Sequence, residues 1–393
     1  MKKVLVTAST FPRWKDDTEP RFILDLCQAL SKYVDVTVLV PAAIGAADEE
    51  TMGNVHIIRY HYFPFHSLET LCYPGAIIPR IREKKIRILL VPFLIAALFL
   101  NLYKMRKDYD LVHAHWFIPQ GIVQSLFNTP YIVTGHGGDV TSNNSFLIRK
   151  WKTACAQKAV HVTAVSSYLK EEILSWSKTV DIDIIPMGCQ LELFSPENRV
   201  KNYFGQGTKK IVLFVGRLAE KKGVTYLIEA MKCIDAKLVI AGDGPLAPSL
   251  KRQALDQGEK IVFLGSCTHD ELKTVYASAD VFVAPSVTAQ DGDREGFGLV
   301  MLEAMASGVP VVAFNSGGVS QLIKHGYNGL LCKEKDTLGL SHSIYTVLND
   351  GKLRNNLAKN GIETSRLYDY SKIAKQYWEI YTKAYSSNNN SRI

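Results

Sequence analysis

The chain has 393 residues, too many for one ordinary domain and suited to two, and its 47% hydrophobic and 21% charged residues exclude a disordered protein. The net charge of +8 is not carried by a basic run with interleaved aromatic residues, which argues against nucleic-acid binding. The seven cysteines are scattered without a C-x-x-C pair, which argues against a disulfide framework or a structural zinc site and favours a reducing compartment.

Short β-branched segments alternate with amphipathic segments along the first half of the chain. The first run, Lys3–Thr7, is short and soon followed by Pro12, so we interpret it as a strand rather than as part of a signal peptide. Alternation of this kind predicts a parallel sheet with helices on both faces. The predicted strands are Lys3–Thr7, Val36–Val40, Val55–Tyr60, Leu111–Ala114, Tyr131–Thr134, His161–Val165 and Ile182–Ile185.

Residues 80–107 combine basic and apolar residues, and we name them the basic-apolar segment. Its apolar run, residues 88–100, is shorter than the roughly 20 residues needed to span a bilayer. A helix of this kind with cationic flanks suits an anionic membrane surface. The alternative is a buried crossover helix whose ends snorkel into water. The basic residues are Arg80, Arg82, Lys84, Lys85, Arg87, Lys104, Arg106 and Lys107.

Histidines lie within or just after two of these strands. His113 and His115 lie on one face of a strand, but no third ligand is evident, which weighs against zinc. His136 stands among glycines that let a ligand approach the backbone, and it could hydrogen-bond a sugar hydroxyl or a developing charge, or be structural. Trp116 could stack on an acceptor sugar or pack in the core.

The strand–helix pattern restarts after a linker predicted at Pro186–Pro196. Two such halves predict an α/β protein of two Rossmann-like, doubly wound parallel-sheet domains that face a cleft, with ligands at the carboxyl ends of the strands. The predicted strands are Ile211–Val215, Lys237–Ala241, Ile261–Leu264, Val281–Ala284, Val311–Ala313 and Gly329–Cys332. The predicted helices lie around Val224–Cys233, Ala247–Gln257, Thr268–Ser278 and Leu299–Ser307.

A glycine and two cations follow the first strand of the second half. Gly216 allows a tight turn, and Arg217 and Lys222 come before a predicted helix. Two cations at a helix N-terminus can bind a diphosphate and neutralise it as a leaving group without a metal. The alternative is an exposed loop with surface charges.

Further turns follow the next two strands. Ala241–Pro245 has the sequence of a nucleotide-site turn, although Gly-Asp-Gly-Pro also forms an ordinary β-turn. Gly265 and Ser266 follow the next strand and are placed to line a nucleobase pocket.

Two glutamates, Glu295 and Glu303, are separated by eight positions. At about 100° per residue, this spacing would put both carboxylates on nearly one face of a helix. A loop followed by a helix with a polar stripe suits a phosphorylated sugar, and the alternative is a solvated helix face. No G-x-S-x-G elbow, Walker A motif or early G-x-G-x-x-G is present, which weakens hydrolase, P-loop and dehydrogenase interpretations.

Together these motifs resemble a retaining glycosyltransferase of family 4, with the GT-B fold. The resemblance covers about residues 205–335 through G-R-L-x-x-x-K-G, A-G-D-G-P, an F-L-G strand end and E-G-F-G-L-V-x-L-E-A-M-A-x-G-x-P-V-V. The first half resembles members that build bacterial surface polysaccharides, such as exopolysaccharide or O-antigen, through D-L-V-H-A-H-W, P-Q-G and T-G-H-G-G-D.

The resemblance implies roles for single residues. Arg217 and Lys222 would hold the donor diphosphate, and Glu303 would bind the ribose. Glu295 would contact the transferred sugar, and His136 would lie at the reacting face. The implied catalytic residues are His136, Arg217, Lys222 and Glu295. Motifs and resemblance together predict donor binding by Gly216, Arg217, Lys222, Gly265, Ser266, Glu295, Gly296, Phe297, Gly298, Leu299 and Glu303.

On the acceptor side, Arg13, Trp116 and Asp139 are the predicted residues. Family members often carry a Gly-Gly pair in the first β–α loop, whereas residues 10–21 of this chain lack glycine, which puts the acceptor contact of this loop in doubt. The resemblance also implies metal-independent transfer with retention at the anomeric carbon, and it requires no cofactor besides the nucleotide-sugar co-substrate.

The expected organisation is an acceptor domain over residues 1–190 and a donor domain over 196–370, with a last helix, 371–385, packing back on the first. The expected function is transfer of a sugar to a lipid-linked saccharide, on the cytoplasmic side of the cell membrane, with residues 80–107 on its anionic surface. Three alternatives are a soluble transferase with a small acceptor, a non-catalytic nucleotide-sugar-binding protein and an epimerase on the same fold. The presence of Arg217, Lys222 and Glu303 weighs against a non-catalytic binding protein. The motif from Glu295 to Glu303 weighs against an epimerase.

Overall fold

The structure, a computed structural model, describes residues 1–142, 145–205 and 209–390. The chain divides into two compact units. The first contains Met1–Pro186 and the segment that begins at Tyr370, and the second contains Met187–Asp369. The division therefore falls at the start of the linker predicted from the sequence. Within the second unit, the Cys189 amide donates a 2.8 Å hydrogen bond to the Tyr368 carbonyl, so its incoming and outgoing segments are paired.

The sheet of the first unit is built from β1 (Lys3–Thr7), β2 (Asp35–Pro41), β3 (Glu49–Met52), β4 (Val55–Tyr60), β5 (Leu111–His115), β6 (Tyr131–Gly135), β7 (His161–Ala164) and β8 (Ile182–Ile184). The strand order is β3-β4-β2-β1-β5-β6-β7-β8, and the pairs are parallel apart from β3 with β4. Strand β3 was not predicted, because its sequence Glu-Glu-Thr-Met lacks the β-branched pattern. It pairs with β4 across a turn at Gly53.

Helices cover this sheet. They are α1 (Phe22–Leu30), α2 (Ile77–Glu83), α3 (Val91–Met105), α4 (Ile122–Gln124), α5 (Gly138–Thr141), α6 (Phe146–Lys158) and α7 (Ser167–Trp176). The core lies between β1, β2 and α1, where valines and leucines of the strands are fully buried. Each such side chain stabilises the fold by about 1.5–3 kcal/mol relative to exposure.

The sheet of the second unit is built from β9 (Ile211–Val215), β10 (Lys237–Ala241), β11 (Ile261–Gly265), β12 (Val281–Ala284), β13 (Val311–Phe314) and β14 (Gly329–Cys332). Its order is β11-β10-β9-β12-β13-β14, with parallel pairs throughout the described residues. The winding reverses between β9 and β12, as it does between β1 and β5 in the first unit. Both sheets are therefore Rossmann-like, which confirms the predicted α/β class.

The helices of the second unit are α8 (Val224–Ala230), α9 (Ala247–Ala254), α10 (His269–Ala277), α11 (Leu299–Ala306), α12 (Val319–Leu322), α13 (Thr337–Asn349) and α14 (Gly351–Ser365). Helix α15 (Tyr370–Asn390) follows and belongs to the first unit.

Helix α15 packs on α1, and its Trp378 ring stacks on Tyr33 at 5.8 Å between centroids. Buried residues recur every three or four positions along it, the pattern of a helix with one face in a core. It is longer than the helix predicted over 371–385. The helix continues to Asn390, and residues 391–393 lie outside the described residues.

The basic-apolar segment forms α2, a 3-10 turn and α3. Leu94, Leu98 and Leu102 of α3 are buried, while Phe93 and Leu100 are 46% and 54% exposed. Residues 85–105 are long and apolar enough to cross a membrane by length and composition alone, with 22% of the most apolar window buried. Only one face of α3 is covered, so both the membrane-surface helix and the crossover helix packed on the sheet stay predictions.

Two arginines of this segment differ from the expectation that its basic residues face lipid. Arg87 is 8% exposed, and its guanidinium donates to the Arg80 carbonyl at 2.9 Å and pairs with Glu83 at 3.1 Å. Arg80 itself pairs with Glu83 at 2.6 Å. These contacts hold α2 against the turn before α3. Lys84 and Lys85, in contrast, are exposed.

Candidate active site

Two loops meet where the winding of the second sheet reverses. The β9 loop, residues 216–223, follows β9, and the β12 loop, residues 285–298, follows β12. Ligands of open α/β sheets bind beyond the carboxyl ends of the strands at such a point. The loops bring together residues that the sequence singled out separately, since Lys222 and Glu295 are 73 positions apart and in contact.

The contact is an ion pair of 2.5 Å between the Lys222 ammonium and the Glu295 carboxylate, whose side chains are 16% and 13% exposed. Burial by itself would raise the pKa of Glu295, but Lys222 and then Lys221 outweigh it and lower that pKa to about 2. Glu295 is therefore an anion at neutral pH, held beside a cation that still reaches solvent.

Each of three consecutive residues of the β9 loop holds the β12 loop. The Glu220 carboxylate accepts from the Gln290 amide at 3.0 Å. Lys221 pairs with Asp293 at 3.0 Å, and its carbonyl accepts from a β12-loop amide. Lys222 binds Glu295. These contacts fix the site before a ligand arrives, which is what electrostatic catalysis requires.

The turn at Gly317 and Gly318 holds the backbone of Glu295 in place. The Gly318 amide donates a 2.8 Å hydrogen bond to the Glu295 carbonyl. Gly317 has a φ of 59°, and a Cβ at this position would lie 2.3 Å from that carbonyl oxygen. Only glycine fits here without moving Glu295.

Glu303 lies inside α11, is 5% exposed and accepts a 2.8 Å hydrogen bond from the Tyr276 hydroxyl. His269 lies 4.0 Å from its other oxygen. Glu295 lies in the β12 loop, because α11 begins only at Leu299. The prediction that both carboxylates share one helix face is therefore wrong, although both belong to the same loop–helix unit.

Four of the remaining predicted donor residues lie between these two glutamates in the chain. Gly296, Phe297 and Gly298 are buried, and Leu299 is half-buried at the start of α11. The Phe297 ring packs 5.6 Å from Tyr368. Arg217 is half-buried in the β9 loop, one residue after the strand-end glycine. Arg217 precedes the first residue of α8 by seven positions. The two cations that were expected at one helix N-terminus, Arg217 and Lys222, are therefore spread along the β9 loop.

The strand-end turns of β9, β10 and β11 are linked by backbone hydrogen bonds. Gly216 donates to the Ala241 carbonyl at 3.0 Å, and Gly242 donates to the Gly265 carbonyl at 2.6 Å. Ser266 follows in an exposed position. The predicted glycine turns therefore form one continuous backbone edge beside the β9 loop.

In the first unit, His136 is paired with His115. The His115 Nδ1 and His136 Nε2 atoms are 2.8 Å apart, and which ring donates depends on the tautomer. Burial lowers the pKa of His136 to about 3 and holds the pKa of His115 well below 6.5. Both rings are therefore neutral at physiological pH, and the pair shares a single hydrogen bond. This pairing of two histidines 21 positions apart was not predicted.

The two nitrogens of His113 are 2.8 Å from the Tyr381 hydroxyl and 2.7 Å from the Thr134 hydroxyl. Burial lowers its pKa to about 3. Both nitrogens are thus engaged by neutral hydroxyls. The absence of zinc at His113 and His115 stays a prediction.

Asp139 organises the loop that carries His136. Its carboxylate accepts from the amides of His136 at 3.1 Å, Gly137 at 2.9 Å and Phe117 at 3.0 Å. Burial raises the pKa of Asp139 despite these bonds. Asp139 therefore joins the ends of β5 and β6, and this structural role was not predicted.

The other predicted acceptor-side residues pack against neighbours. The Trp116 ring lies 5.1 Å from His136 and 6.1 Å from Phe22. Arg13 makes two hydrogen bonds to the Asp17 carboxylate, at 2.8 and 2.6 Å. This pair orders the glycine-free loop after β1.

Comparisons with known proteins agree with this architecture. Residues 197–364 match the family model described as Glycosyl transferases group 1, and residues 20–193 match the one described as Glycosyltransferase Family 4. Glycosyltransferase MJ1607 of Methanocaldococcus jannaschii is 33% identical over 298 residues, which cover 70% of this chain and 75% of the relative. A Bacillus subtilis protein, TuaC, named for teichuronic acid biosynthesis, is 32% identical over 268 residues, 64% of each chain.

Solved structures share the fold. Sucrose-phosphate synthase from Thermosynechococcus elongatus has a TM-score of 0.81 at 24% identity and covers 98% of this chain and all of its own. The Anabaena protein HepE, solved with UDP and glucose, has a TM-score of 0.72 at 20% identity and covers 97% of this chain and all of its own. The two Rossmann-like units thus define a protein of the GT-B fold. The chain belongs to glycosyltransferase family 4.

Proposed function

We propose that the protein is a retaining glycosyltransferase that moves a sugar from a nucleotide-diphosphate sugar to a lipid-linked saccharide in cell-surface polysaccharide synthesis. The observation that carries the proposal is the ion pair of Lys222 and Glu295 at the switch point of the second sheet. A cation and an anion held there, each partly open to solvent, suit a donor with an anionic diphosphate and a polar sugar.

The second unit is the proposed donor domain. Arg217 and Lys222 bind the diphosphate, and Glu303 binds the ribose, for which its carboxylate can accept two hydroxyl hydrogen bonds. Glu295 contacts the transferred sugar with the amides of the following Gly-Phe-Gly turn. The UDP bound in HepE supports a nucleotide-sugar donor of this kind.

The proposed transfer is a front-face substitution. The acceptor oxygen bonds to the anomeric carbon on the face from which the diphosphate leaves, and a diphosphate oxygen takes the acceptor proton. This route needs neither a protein nucleophile nor a metal, because Arg217 and Lys222 neutralise the charge that develops on the diphosphate. His136, neutral at physiological pH, acts as a hydrogen-bonding partner of the sugar rather than as an acid.

The first unit is the proposed acceptor domain, and the exposed face of α3 supports a lipid acceptor. Phe93 and Leu100 are exposed on this face, and Lys84 and Lys85 precede it. Apolar side chains beside cations suit an interfacial helix on an anionic membrane. The proposed location is the cytoplasmic face of the cell membrane, as a peripheral protein. The name of TuaC supports a cell-surface product.

A donor screen tests the proposal. The purified protein, with a chelator present, is mixed with UDP-, GDP- and ADP-sugars and followed by thermal shift and slow donor hydrolysis. Stabilisation by one nucleotide family, and an α- or β-anomer in the product that matches the donor, are expected. A shift without sugar release or transfer to any lipid or soluble acceptor would favour a binding protein, and transfer to soluble acceptors alone would overturn the lipid assignment.

A further inference from the structure

A cluster of histidine and carboxylate side chains lies outside the proposed active site, in the segment between β4 and α2. It consists of His61, His66 and Glu69, whose potential ligand atoms all lie within 4.8 Å of one another. We propose that this cluster binds a divalent transition-metal ion of the zinc type, with His61, His66 and Glu69 as protein ligands.

The carboxylate of Glu69 is buried and held by backbone amides. Glu69 has a side chain only 2% exposed, and its Oε1 accepts hydrogen bonds from the amides of Tyr62 at 2.5 Å and Phe63 at 2.9 Å. Its Oε2 points at His61 Nδ1, 2.7 Å away. One oxygen therefore fixes the carboxylate while the other is aimed at the histidines, as in a metal site whose carboxylate ligand is oriented by further hydrogen bonds.

His61 is oriented from its other side. Its Nε2 lies 3.0 Å from an Asp48 carboxylate oxygen. Carboxylate–histidine–metal triads have this arrangement, in which one ring nitrogen donates to a carboxylate and the other binds the ion. In the proposed site, Asp48 is the positioning carboxylate, and His61 Nδ1 binds the ion together with Glu69 Oε2.

His66 completes the set. Its ring is stacked on His61 with 3.4 Å between centroids and 6° between planes, so it is already beside the other two ligands. Ligands of a tetrahedral zinc ion stand about 3.4 Å apart, given bond lengths of about 2.1 Å. Parallel rings aim their in-plane lone pairs side by side, so the His66 ring must turn to bind the same ion as His61. The exposed position of His66 on a single 3-10 turn allows this rotation. Two imidazoles and one carboxylate suit zinc and its neighbours in the first transition row.

The alternative is a metal-free ion pair. Burial disfavours an imidazolium, but the hydrogen bond from His61 to Glu69 and the charges of Glu69 and Asp48 outweigh it and raise the pKa of His61. In this state a proton lies between His61 Nδ1 and Glu69 in place of a metal ion. Direct measurement of bound metal distinguishes the two states.

The test is titration of the metal-free protein with Co²⁺, followed by visible d–d absorption, and with Zn²⁺, followed by calorimetry. The expected result is saturable binding of one ion per chain. His66→Ala should abolish binding, and Asp48→Asn should weaken it about tenfold. Because His66 is exposed, its replacement leaves the fold intact.

His56→Ala is the matched control. His56 also lies 2.7 Å from a carboxylate, that of Glu49, on the adjoining β3–β4 hairpin, but it is outside the cluster. The control should bind the metal as the unaltered protein does. No saturable Zn²⁺ or Co²⁺ binding, or binding that His66→Ala leaves unchanged, would overturn the proposal and leave the metal-free pair. Metal binding itself is measured, so neither result depends on glycosyl transfer.

Discussion

The two units place different chemistry at the carboxyl ends of their sheets. In the second unit, Lys222 and Glu295 are a charged pair, and a further ion pair and backbone hydrogen bonds hold the loops that carry them. In the first unit, His115 and His136 are neutral and bonded to each other. Charge at one sheet suits a diphosphate, and neutral donors and acceptors at the other suit sugar hydroxyls.

The difference comes from what surrounds each group. Carboxylates and ammonium groups can be partly buried when they face each other, whereas imidazoles buried among hydroxyls and aromatic rings lose their protons. Four experiments test the roles assigned to the two units.

The largest effect is expected for Lys222→Ala. It removes a cation from the proposed diphosphate site, and loss of one such group in a preorganised site costs about 10²–10³ in turnover. Steady-state transfer with saturating donor measures it. Lys232→Ala is the control, because Lys232 is an exposed lysine of the same unit, paired with Glu229. Transfer by Lys222→Ala at the level of the control would remove the diphosphate assignment.

A pH effect on stability should follow from the neutral histidines of the first unit. The native pKa of His113 is about 3 and its unfolded value is near 6.5, so the unfolded state binds more protons between these values. Stability is therefore full above pH 6.5 and falls as the pH is lowered. Between pH 6.5 and 5, His113 contributes a slope of up to about 1.4 kcal/mol per pH unit.

Urea unfolding of the protein and of His113→Asn at several pH values measures this slope. The variant should be less stable at pH 7, because it alters the contacts with Tyr381 and Thr134, and its stability should depend less on pH. Equal slopes for both proteins would show that His113 takes up a proton in the folded state.

A smaller effect is expected from a charge on the exposed face of α3. Leu100→Glu adds a carboxylate to this face, where Leu100 is 54% exposed. It should lower flotation with phosphatidylglycerol vesicles by about tenfold, since it opposes apolar contact and the anionic surface. Donor hydrolysis should be unchanged. Leu338→Glu is the control, because Leu338 is 80% exposed in the second unit. If both variants float as the unaltered protein does, α3 does not bind membranes.

The smallest effect is expected for Lys221→Ala, next to Lys222. Lys221 holds the β12 loop through a 3.0 Å pair with Asp293 whose side chains are 30% and 22% exposed. Pairs of this kind contribute about 0–1 kcal/mol, so turnover should fall no more than about fivefold. The contrast between adjacent lysines separates binding of the diphosphate from support of the loop. A loss as large as that of Lys222→Ala would make Lys221 part of the diphosphate site.

Much of the fold was predictable because strands such as β1, β9, β10 and β12 are short β-branched runs between turn residues, and their bounds match the prediction. Strand β3 was missed because it is polar and forms only by pairing with β4. At the site, the sequence indicated Lys222 and Glu295 separately. It predicted the helix of Glu303 from Leu299, as observed, but the eight-residue spacing wrongly suggested that Glu295, which precedes this helix, shares one of its faces.

The amino-acid sequence by itself determined the two strand–helix halves, the glycine turns at strand ends and the set of charged residues near them, because these depend on local periodicity and backbone freedom. The tertiary structure decided which residues meet. Parallel pairing of β5 with β6 brings His115 to His136, and the adjacency of β9 and β12 brings Lys222 to Glu295. Burial then decided which groups are charged, since it removes the proton from the histidines while an adjacent lysine keeps the glutamate ionised.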